Sequence, residues 1–413
     1  MNPLQQIEQE VLALGREWTR SELEKRLQAE CAAVEMVSKQ TGEELENTRW
    51  RPMELDTVVG KVTLKARHGH CPEQGWICPA REIWGLEPYE RKTPELQVRL
   101  AYTATVVGSY AEAEEMATTW GTPVSDGCLH QQVQKLGQKA QSLELPTPEV
   151  LKSEPQFSLV IMMDGWMARE RGQDWGAGPR KKNAQRIDWR EIKSAVIYRL
   201  EQRAETVSGR GMLLEKYVVA TPPETLPVDF GKAVQDEARR RGLARAQEVY
   251  LVMDGAVWLW DLAEDRFKDA VKTLDFHHAR EHLHAVAEAL YGVGSEQSKA
   301  WLAQRLEHLR HGKEALVVRR LEDLLCSKSK HSKKTKEVIV REVNYFREHQ
   351  DHIHYRDREK EGSPLGSGAV ESLGKQLQRR ARGCGQFWGR PGLTHILELS
   401  VLVKNQDLHL LWN

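Results

Sequence analysis

The chain has 413 residues, of which 29 % are charged and 40 % are hydrophobic, and its formal net charge is zero. This balance is typical of a soluble globular protein with two or three domains. No stretch approaches the roughly 18 apolar residues of a membrane span, and the first residues lack the core of a signal peptide. We therefore expect a cytoplasmic protein without a membrane partner.

Residues 1–50 are predicted to be helical. Their apolar side chains recur every three or four positions, at Leu4, Ile7, Val11, Leu14 and Trp18. Ser21 and Glu24 have the spacing of a capping box, which predicts that a second helix begins there. The apolar stripe is either a contact face for a partner helix or a face that packs on its own domain.

A small β-hairpin is predicted next. Valine and leucine alternate with other residues from Thr57 to Arg67 around Gly60, which indicates two short strands that end near Cys71. The six cysteines lack disulfide spacing, as expected in a reducing compartment. The candidate zinc ligands in this region are His68, His70, Cys71 and Cys78. No Cys-x-x-Cys pair completes a four-ligand site, so zinc is not expected here. The cysteines are instead expected to be packed or functionally idle thiols.

Residues 95–143 are again predicted to be helical, with breaks near Gly121 and Gly127. A helix, a turn and a second helix over Cys128–Gln141 form the pattern of a helix-turn-helix, which places its second helix in the major groove of DNA. Any other helical hairpin has the same pattern, so this region is either a DNA-binding helix-turn-helix or an ordinary helical hairpin. A proline-containing linker at 145–148 follows.

The next segment has the clearest order of elements. Apolar runs and helical spacing predict strands at 157–163, 192–200 and 213–220, a helix at 229–241, a strand at 249–253, a helix at 256–268 and a strand at 271–276. This order predicts three meandering strands followed by parallel crossovers. It matches an α/β ribonuclease-H-like core, in which the first and fourth strands end side by side.

Three carboxylates stand at the ends or edges of these elements. Asp164 follows Phe157–Met163, Asp254 follows Val249–Met253, and Glu371 lies in a glycine-rich segment further along. Glycine follows both aspartates, so each is expected where a strand turns at the edge of a sheet. Acids presented in this way are suited to hold two divalent cations, Mg²⁺ or Mn²⁺, for phosphoryl transfer.

Basic residues are clustered even though the net charge is zero. Residues 180–193, 324–336 and 372–397 are rich in lysine or arginine, and the first and last of these segments follow an acid in sequence. The predicted DNA contacts in the last segment are Lys375, Arg379, Arg380, Arg382, Trp388 and Arg390. The basic residues would contact phosphates, and Trp388 would stack on an unpaired base. Solvated loops are the alternative, and they are favoured for 324–336.

Several motifs occur together in this chain. They are Met163-Asp164-Gly165, Met253-Asp254-Gly255, Asp275–Leu283, Gly366–Ser372 and the basic Gly/Trp segment Arg379–Trp388. This set resembles the DDE transposases of bacterial insertion sequences, and within them the ISKra group, which is related to the Mutator-like superfamily. Thr57–Cys78 and Thr93–Gly137 resemble the upstream part of those proteins, so the likeness covers most of the chain. Those relatives usually carry a fuller zinc-ribbon-like cysteine set, and this chain keeps only Cys71 and Cys78.

The resemblance implies a metal-binding triad of Asp164, Asp254 and Glu371. It also implies an Asp-x-x-His motif at Asp275 and His278, in which His278 contacts the scissile phosphate or orients a neighbouring acid. The implied substrate is double-stranded DNA, at the element ends and at the target, and cleavage would be followed by strand transfer. The protein would then act as a homo-oligomer on DNA at the bacterial nucleoid.

The predicted organisation has four parts. They are N-terminal helices at 1–50, a hairpin and helix-turn-helix-like region at 51–148, a ribonuclease-H-like catalytic domain at 149–279 and 361–413, and a helical insertion at 280–360. Two other functions remain open: a ribonuclease-H-like nuclease that cuts without strand transfer, and a catalytically idle DNA-binding derivative. The intact triad disfavours the idle derivative, and the upstream region with the basic tail disfavours the simple nuclease.

Overall fold

The structure is a computed structural model, and it describes residues 2–146, 155–178, 181–208, 211–326 and 331–412. By its contacts the chain divides into two compact units, Met1–Leu143 with Glu398–Asn413, and Glu144–Leu397. The four-part organisation given above stays a prediction. Residues 147–148 of the predicted linker, and Arg180, Lys328 and Lys330 of the basic segments, lie outside the described residues. Within the described ranges, no helix is both long and apolar enough to cross a membrane.

The first unit combines a long helix, a small antiparallel sheet and a group of shorter helices. In chain order its elements are α1 (Pro3–Ala33), β1 (Glu46–Thr57), β2 (Gly60–Cys71), β3 (Gly75–Ile77), α2 (Pro79–Ile83), α3 (Pro94–Val106), α4 (Tyr110–Thr119) and α5 (Asp126–Gln141). A 3₁₀ turn at Leu408–Trp412 also belongs to this unit.

Helix α1 is one continuous helix, so the prediction of two helices was wrong. Ser21 lies inside the helix and not at a cap. Arg20 pairs with Glu17 at 2.6 Å and with Glu24 at 3.0 Å, and these i,i+3 and i,i+4 pairs stabilise the turns on either side of Ser21. The helix ends at Ala33, and the sheet already begins within the range that had been predicted to be helical.

The predicted hairpin is present but longer than expected. β1 pairs antiparallel with β2 down to Thr57 opposite Gly60, and Gly60 has a φ of +112°, which favours glycine in the turn. Cys71 and Cys78 are both buried. The Cys71 sulfur lies 3.7 Å from a Glu43 carboxylate oxygen, and Cys78 packs in the hydrophobic core of this sheet.

Helices α3, α4 and α5 pack on one another around a shared apolar core. Side-chain hydroxyls cap the last two helices, since Ser109 accepts from the N–H of Glu112 and Ser125 accepts from the N–H of Cys128. A short connection joins α4 to α5, as the predicted helix-turn-helix requires. DNA binding by α5 stays a prediction.

The second unit contains the main sheet and most of the helices. Its elements are β4 (Leu159–Arg171), β5 (Ile187–Arg199), β6 (Arg203–Glu205), β7 (Gly211–Leu213), β8 (Tyr217–Thr221), α6 (Pro227–Arg240), β9 (Val249–Met253), α7 (Val257–Arg266), β10 (Val271–Leu274), α8 (Phe276–Tyr291), α9 (Glu296–Arg310), α10 (Glu314–Cys326), α11 (Lys333–Glu348), α12 (Tyr355–Lys360), α13 (Gly368–Ala381) and α14 (Arg390–Lys404). The last turns of α14 belong to the first unit.

The main sheet is mixed. In the described residues its strand order is β10-β9-β4-β5-β8, with β4, β5 and β8 antiparallel and with β9 and β10 parallel to β4. The predicted order of strands and helices is present, with an additional two-stranded ribbon of β6 and β7 between β5 and β8. This mixed α/β sheet is compatible with a ribonuclease-H-like core.

Successive side chains of β4 point to opposite faces of the main sheet. Leu159, Ile161 and Met163 are buried in one core with side chains of α6 and α7. The intervening positions face the other side, where Trp166 lies against Gly374 of α13. The sheet is therefore covered by helices on both faces, and Asp164 lies on the α13 side.

Helices α8 to α12, which we call the insertion, lie between β10 and α13 in the chain. The insertion has its own apolar core, which includes Leu283, Trp301, Val317 and Phe346. The described part of 280–360 is helical, as the sequence predicts.

Candidate active site

Two of the predicted acids lie side by side. β4 pairs parallel with β9, and the last register pair is Met163 with Met253, so Asp164 and Asp254 directly follow partners on adjacent strands. Adjacent strands are about 4.8 Å apart. Asp254 leaves the sheet at this point, and its Oδ1 accepts a hydrogen bond from the N–H of Ala256 at 2.9 Å. The first and fourth strands are neighbours in the sheet, as predicted, and the two aspartates converge.

Asp164 is not at the end of its strand, so the turn predicted at Asp164-Gly165 was wrong. β4 continues to Arg171 and stays paired with β5, where Asp164 is opposite Ser194. Gly165 is not a turn residue. A Cβ on Gly165 would overlap the side chain of Glu191, so glycine leaves the space that this side chain occupies. The β4–β9 ladder stops just before Asp164 because β9 ends there, whereas β4 continues.

Asp275 follows the third parallel strand and is fully buried. Its N–H donates to the carbonyl of Met253 at 2.7 Å, and its carboxylate accepts from the N–H groups of His278 (2.8 Å) and Ser367. Burial raises the pKa of this carboxyl, but the hydrogen bonds from His278 and Ser367 outweigh burial and hold the pKa well below its usual range. Asp275 therefore joins the start of α8 to the start of α13.

Glu371 lies in the first turn of α13, which packs on β4 and β5. One carboxylate oxygen accepts from the Ser367 hydroxyl at 3.2 Å, and the other lies 3.8 Å from the ammonium of Lys375. The charge of Glu371 is among the causes that raise the pKa of Asp164. The third predicted acid therefore lies on a helix that packs on β4, the strand of Asp164, and its carboxylate contacts residues of its own helix and cap.

His278 supplies a positive charge beside the acids. Its Nδ1 lies 3.3 Å from Oδ1 of Asp275. The hydrogen bond to Asp275 raises the pKa of His278 to about 9 against the opposing effect of burial, and the charges of Asp275 and Asp254 contribute further. The imidazole is therefore protonated at neutral pH.

The two adjacent aspartates repel each other. Burial and then the charge of Asp254 raise the pKa of Asp164 to about 6, although the N–H of Gly165 donates to its Oδ1 at 2.7 Å. No lysine or arginine among the described residues forms an ion pair with Asp164 or Asp254. A divalent cation between the two carboxylates would remove this repulsion.

The donor set fits a divalent cation in part. Asp164, Asp254 and Glu371 provide the hard carboxylate oxygens that Mg²⁺ and Mn²⁺ prefer. As the side chains are placed, no three His, Cys, Asp or Glu residues within the described ranges are gathered closely enough to hold a metal ion. The Glu371 carboxylate lies against Ser367 and Lys375, and its membership in a metal-binding triad stays a prediction.

The predicted DNA contacts differ in exposure. Four of them are exposed, namely Lys375, Arg379, Arg382 and Arg390. Arg380 and Trp388 are only 4 % and 8 % exposed. The indole N–H of Trp388 donates to the carbonyl of Ala381 at 2.8 Å, and the Arg380 guanidinium lies 5.0 Å from the indole ring centre. This burial contradicts the prediction that Trp388 stacks on a base and that Arg380 contacts a phosphate.

The chain after α13 lies along the far half of β4, which the sequence did not predict. The N–H of Trp388 donates to the carbonyl of Arg169 at 3.2 Å. Next to this contact, the buried carboxylate of Glu170 lies 3.7 Å from both Arg190 and Arg390. No local pattern could have found this arrangement, because the two segments are far apart in the sequence.

No protein-family model matches this chain. Comparison with curated proteins also gives no match. Among solved structures, the chain is similar to the Drosophila P element transposase in a strand transfer complex, with 11 % sequence identity and a TM-score of 0.35. The superposition covers 76 % of this chain and 92 % of that chain. Similarity at this level does not decide function, so the functional conclusion depends on the site itself.

Proposed function

We propose that this protein is a DDE transposase, which binds the ends of a mobile element, cleaves phosphodiester bonds there and transfers the freed strand to target DNA. The register of β4 and β9 carries the proposal, because it sets Asp164 and Asp254 side by side at the edge of a parallel ladder. The strand order of the main sheet and the resemblance of the motifs to the ISKra group add support.

In this proposal Asp164 and Asp254 hold the divalent cations, and Glu371 is the third ligand. When bound, two such ions stabilise the charge that develops on the attacked phosphate and on the leaving oxygen. The protein fixes the first two carboxylates through backbone donors, the N–H groups of Gly165 and Ala256. This preorganisation lowers the cost of assembling the site on the substrate.

His278 is proposed to contact the DNA strand at the acids. Its Nδ1 faces Asp275, so Nε2 is the ring nitrogen available to donate to a phosphate oxygen. Asp275 keeps the ring charged and oriented, and therefore acts through His278 and not on the substrate.

The exposed face of α13 is the proposed path of the DNA backbone. Lys375 and Arg379 follow Glu371 at intervals of four residues, so they share one face of the helix, and Arg382 is the C-cap residue three positions further. At 1.5 Å per residue, the two arginines lie roughly 12–17 Å beyond Glu371 along the axis. A phosphate backbone on this face would run toward the acids.

The active form is proposed to be a homo-oligomer on DNA. Support comes from α1, whose apolar stripe is exposed, with Leu14 at 71 % and Trp18 at 70 %. The stripe has the 3-4-3-4 spacing of a coiled coil over two heptads, which suits a contact with a second copy.

An assay of cleavage and joining tests the proposal. Purified protein is incubated with Mg²⁺ and labelled DNA from the flanks of its own gene. A transposase yields nicked ends and joined products. Cut DNA without joined products would instead identify a nuclease, and bound but uncut DNA would identify an idle derivative.

Replacement of one acid adds the control for the site. Asp254→Asn should abolish cleavage and leave DNA affinity nearly unchanged, because phosphate contacts by basic residues supply most of the affinity. Asp261→Asn, at an exposed aspartate of α7, should cut as the wild type does. Cleavage by Asp254→Asn at the wild-type rate would remove Asp254 from the site.

A further inference from the structure

The turn after β9 is covered by helix α11 of the insertion. A Cβ on Gly255 would overlap the ring of Tyr345, and it would lie 2.8 Å from the Tyr345 hydroxyl. On the other side of the turn, the indole N–H of Trp260 donates to the backbone carbonyl of Asp254 at 2.9 Å. Gly255 is therefore explained by the close approach of an aromatic ring.

The ring of Tyr345 is held rigidly. It stacks on His282, with ring centres 3.6 Å apart and planes inclined by 15°. His282 is in turn held by a hydrogen bond between its Nδ1 and the buried carboxylate of Glu342 on α11. The edges of Phe346 and His349 lie against the same tyrosine, at 5.5 and 4.9 Å between ring centres. Tyr345 cannot move from Gly255 without disturbing this cluster.

The hydroxyl of Tyr345 is buried and has no hydrogen-bond partner among the described residues. A buried hydroxyl without a partner is unfavourable, so a nearby acceptor that could receive its hydrogen bond is expected. After burial, the charge of Asp254 is the largest cause that raises the pKa of Tyr345. Asp254 uses Oδ1 to accept from Ala256, which leaves its second carboxylate oxygen for another donor.

We propose that Tyr345 is a positioning residue of the acid site. Its hydroxyl donates to the second carboxylate oxygen of Asp254, and its ring presses on Gly255, so the insertion fixes the carboxylate in the orientation that binds a cation. The role of the carboxylate rests on the proposed function, whereas the contact itself does not. In this account the insertion forms one wall of the active site.

Hydrogen exchange in the metal-free protein without DNA tests the contact. The reporter is the amide of Ala256, which is protected by Asp254. Tyr345→Phe removes only the hydroxyl and should speed exchange at this amide about tenfold. Gly255→Ala should speed exchange too, because the ring is displaced.

Tyr355→Phe is the matched control. Tyr355 is 1 % exposed, its hydroxyl also lacks a partner in the described part of the chain, and it packs in the same core of the insertion. This variant should leave exchange at Ala256 unchanged. Equal exchange in Tyr345→Phe and wild type, or the same acceleration in both tyrosine variants, would overturn the proposal.

Mn²⁺ titration and kinetics provide a second readout. Tyr345→Phe should weaken Mn²⁺ binding about tenfold or more, as loss of a donor behind a metal ligand does, and it should lower kcat for cleavage without changing KM for DNA. An unchanged Mn²⁺ affinity would overturn the positioning role. If wild-type protein binds no Mn²⁺ and cuts no DNA while Ala256 exchange responds as expected, the contact stands and the transposase proposal fails.

Discussion

At the scale of single residues, three aspartates of the parallel strands have different environments: Asp164 lies within β4, Asp254 directly follows β9 and Asp275 directly follows β10. Asp275 is surrounded by donors, from the N–H groups of His278 and Ser367 to the charged imidazole. Among the described residues, the carboxylates of Asp164 and Asp254 each accept one backbone hydrogen bond, and the two aspartates repel each other. Asp275 is therefore suited to hold the structure together, and the other two are suited to bind cations.

Replacement of Asp275 tests this separation. Asp275→Asn should lower the free energy of unfolding by roughly 3–5 kcal/mol, because it leaves the charged His278 without its buried partner. Urea denaturation at neutral pH measures the change. Asp269→Asn, at an exposed position on the turn before β10, should change stability little. Equal stability of Asp275→Asn and wild type would contradict the structural role.

The pH dependence of stability gives a second check on Asp275. Its pKa is depressed in the folded protein, so its contribution is present above the unfolded pKa of about 3.9 and is lost as the pH falls through the folded value. Stability of the wild type should therefore fall below pH 4 more steeply than stability of Asp275→Asn. If the stability of the two proteins fell equally steeply below pH 4, the depressed pKa assigned to Asp275 would be contradicted.

The arginines at the C-terminal end of α13 are expected to separate into two classes. Arg379→Ala with Arg382→Ala should lower the salt dependence of DNA binding by up to about two phosphate contacts, roughly 1.8 in the slope of log K against log salt, at unchanged Tm. Arg380→Ala should lower Tm, because Arg380 is buried beneath Trp388. An unchanged slope in the double variant would move the DNA path away from α13.

At the scale of elements, helix α1 carries the test of oligomerisation. Ile7→Glu with Leu14→Glu places two charges in the apolar stripe and should convert an oligomer to a monomer in light-scattering measurements. Gln6→Glu with Ala13→Glu adds the same charges, with the same spacing, beside the stripe and should leave the oligomer intact. Wild-type protein that is monomeric at every concentration, or an intact oligomer in the first variant, would contradict the account.

The sequence predicts elements well where the signal is local. β9 has the predicted bounds, because an apolar run stands between polar residues. The end of β4 was misplaced, because Asp164-Gly165 resembles a turn while the alternation of buried Trp166, Ala168 and Glu170 continues the strand. In α1, a capping-box spacing wrongly predicted the start of a second helix, because the spacing occurs inside a continuous helix.

At the scale of the whole molecule, strand order allowed the adjacency of Asp164 and Asp254 to be predicted, since the two strands are parallel neighbours and the aspartates occupy matching positions along them. Trp388 contacts β4, more than two hundred residues earlier, and this contact has no local signature. The approach of Tyr345 to Gly255 is likewise a product of tertiary packing. Sequence patterns therefore locate the acids, and the structure identifies the residues that hold them.

The most direct test of the central claim is the location of Mn²⁺ in crystals of the protein, measured by anomalous diffraction. A peak is expected between the carboxylates of Asp164 and Asp254, with the Glu371 side chain rotated away from Lys375 toward it. Asp254→Asn crystals should lose this peak. Mn²⁺ bound only elsewhere, or no peak at these carboxylates at saturating Mn²⁺, would contradict the account.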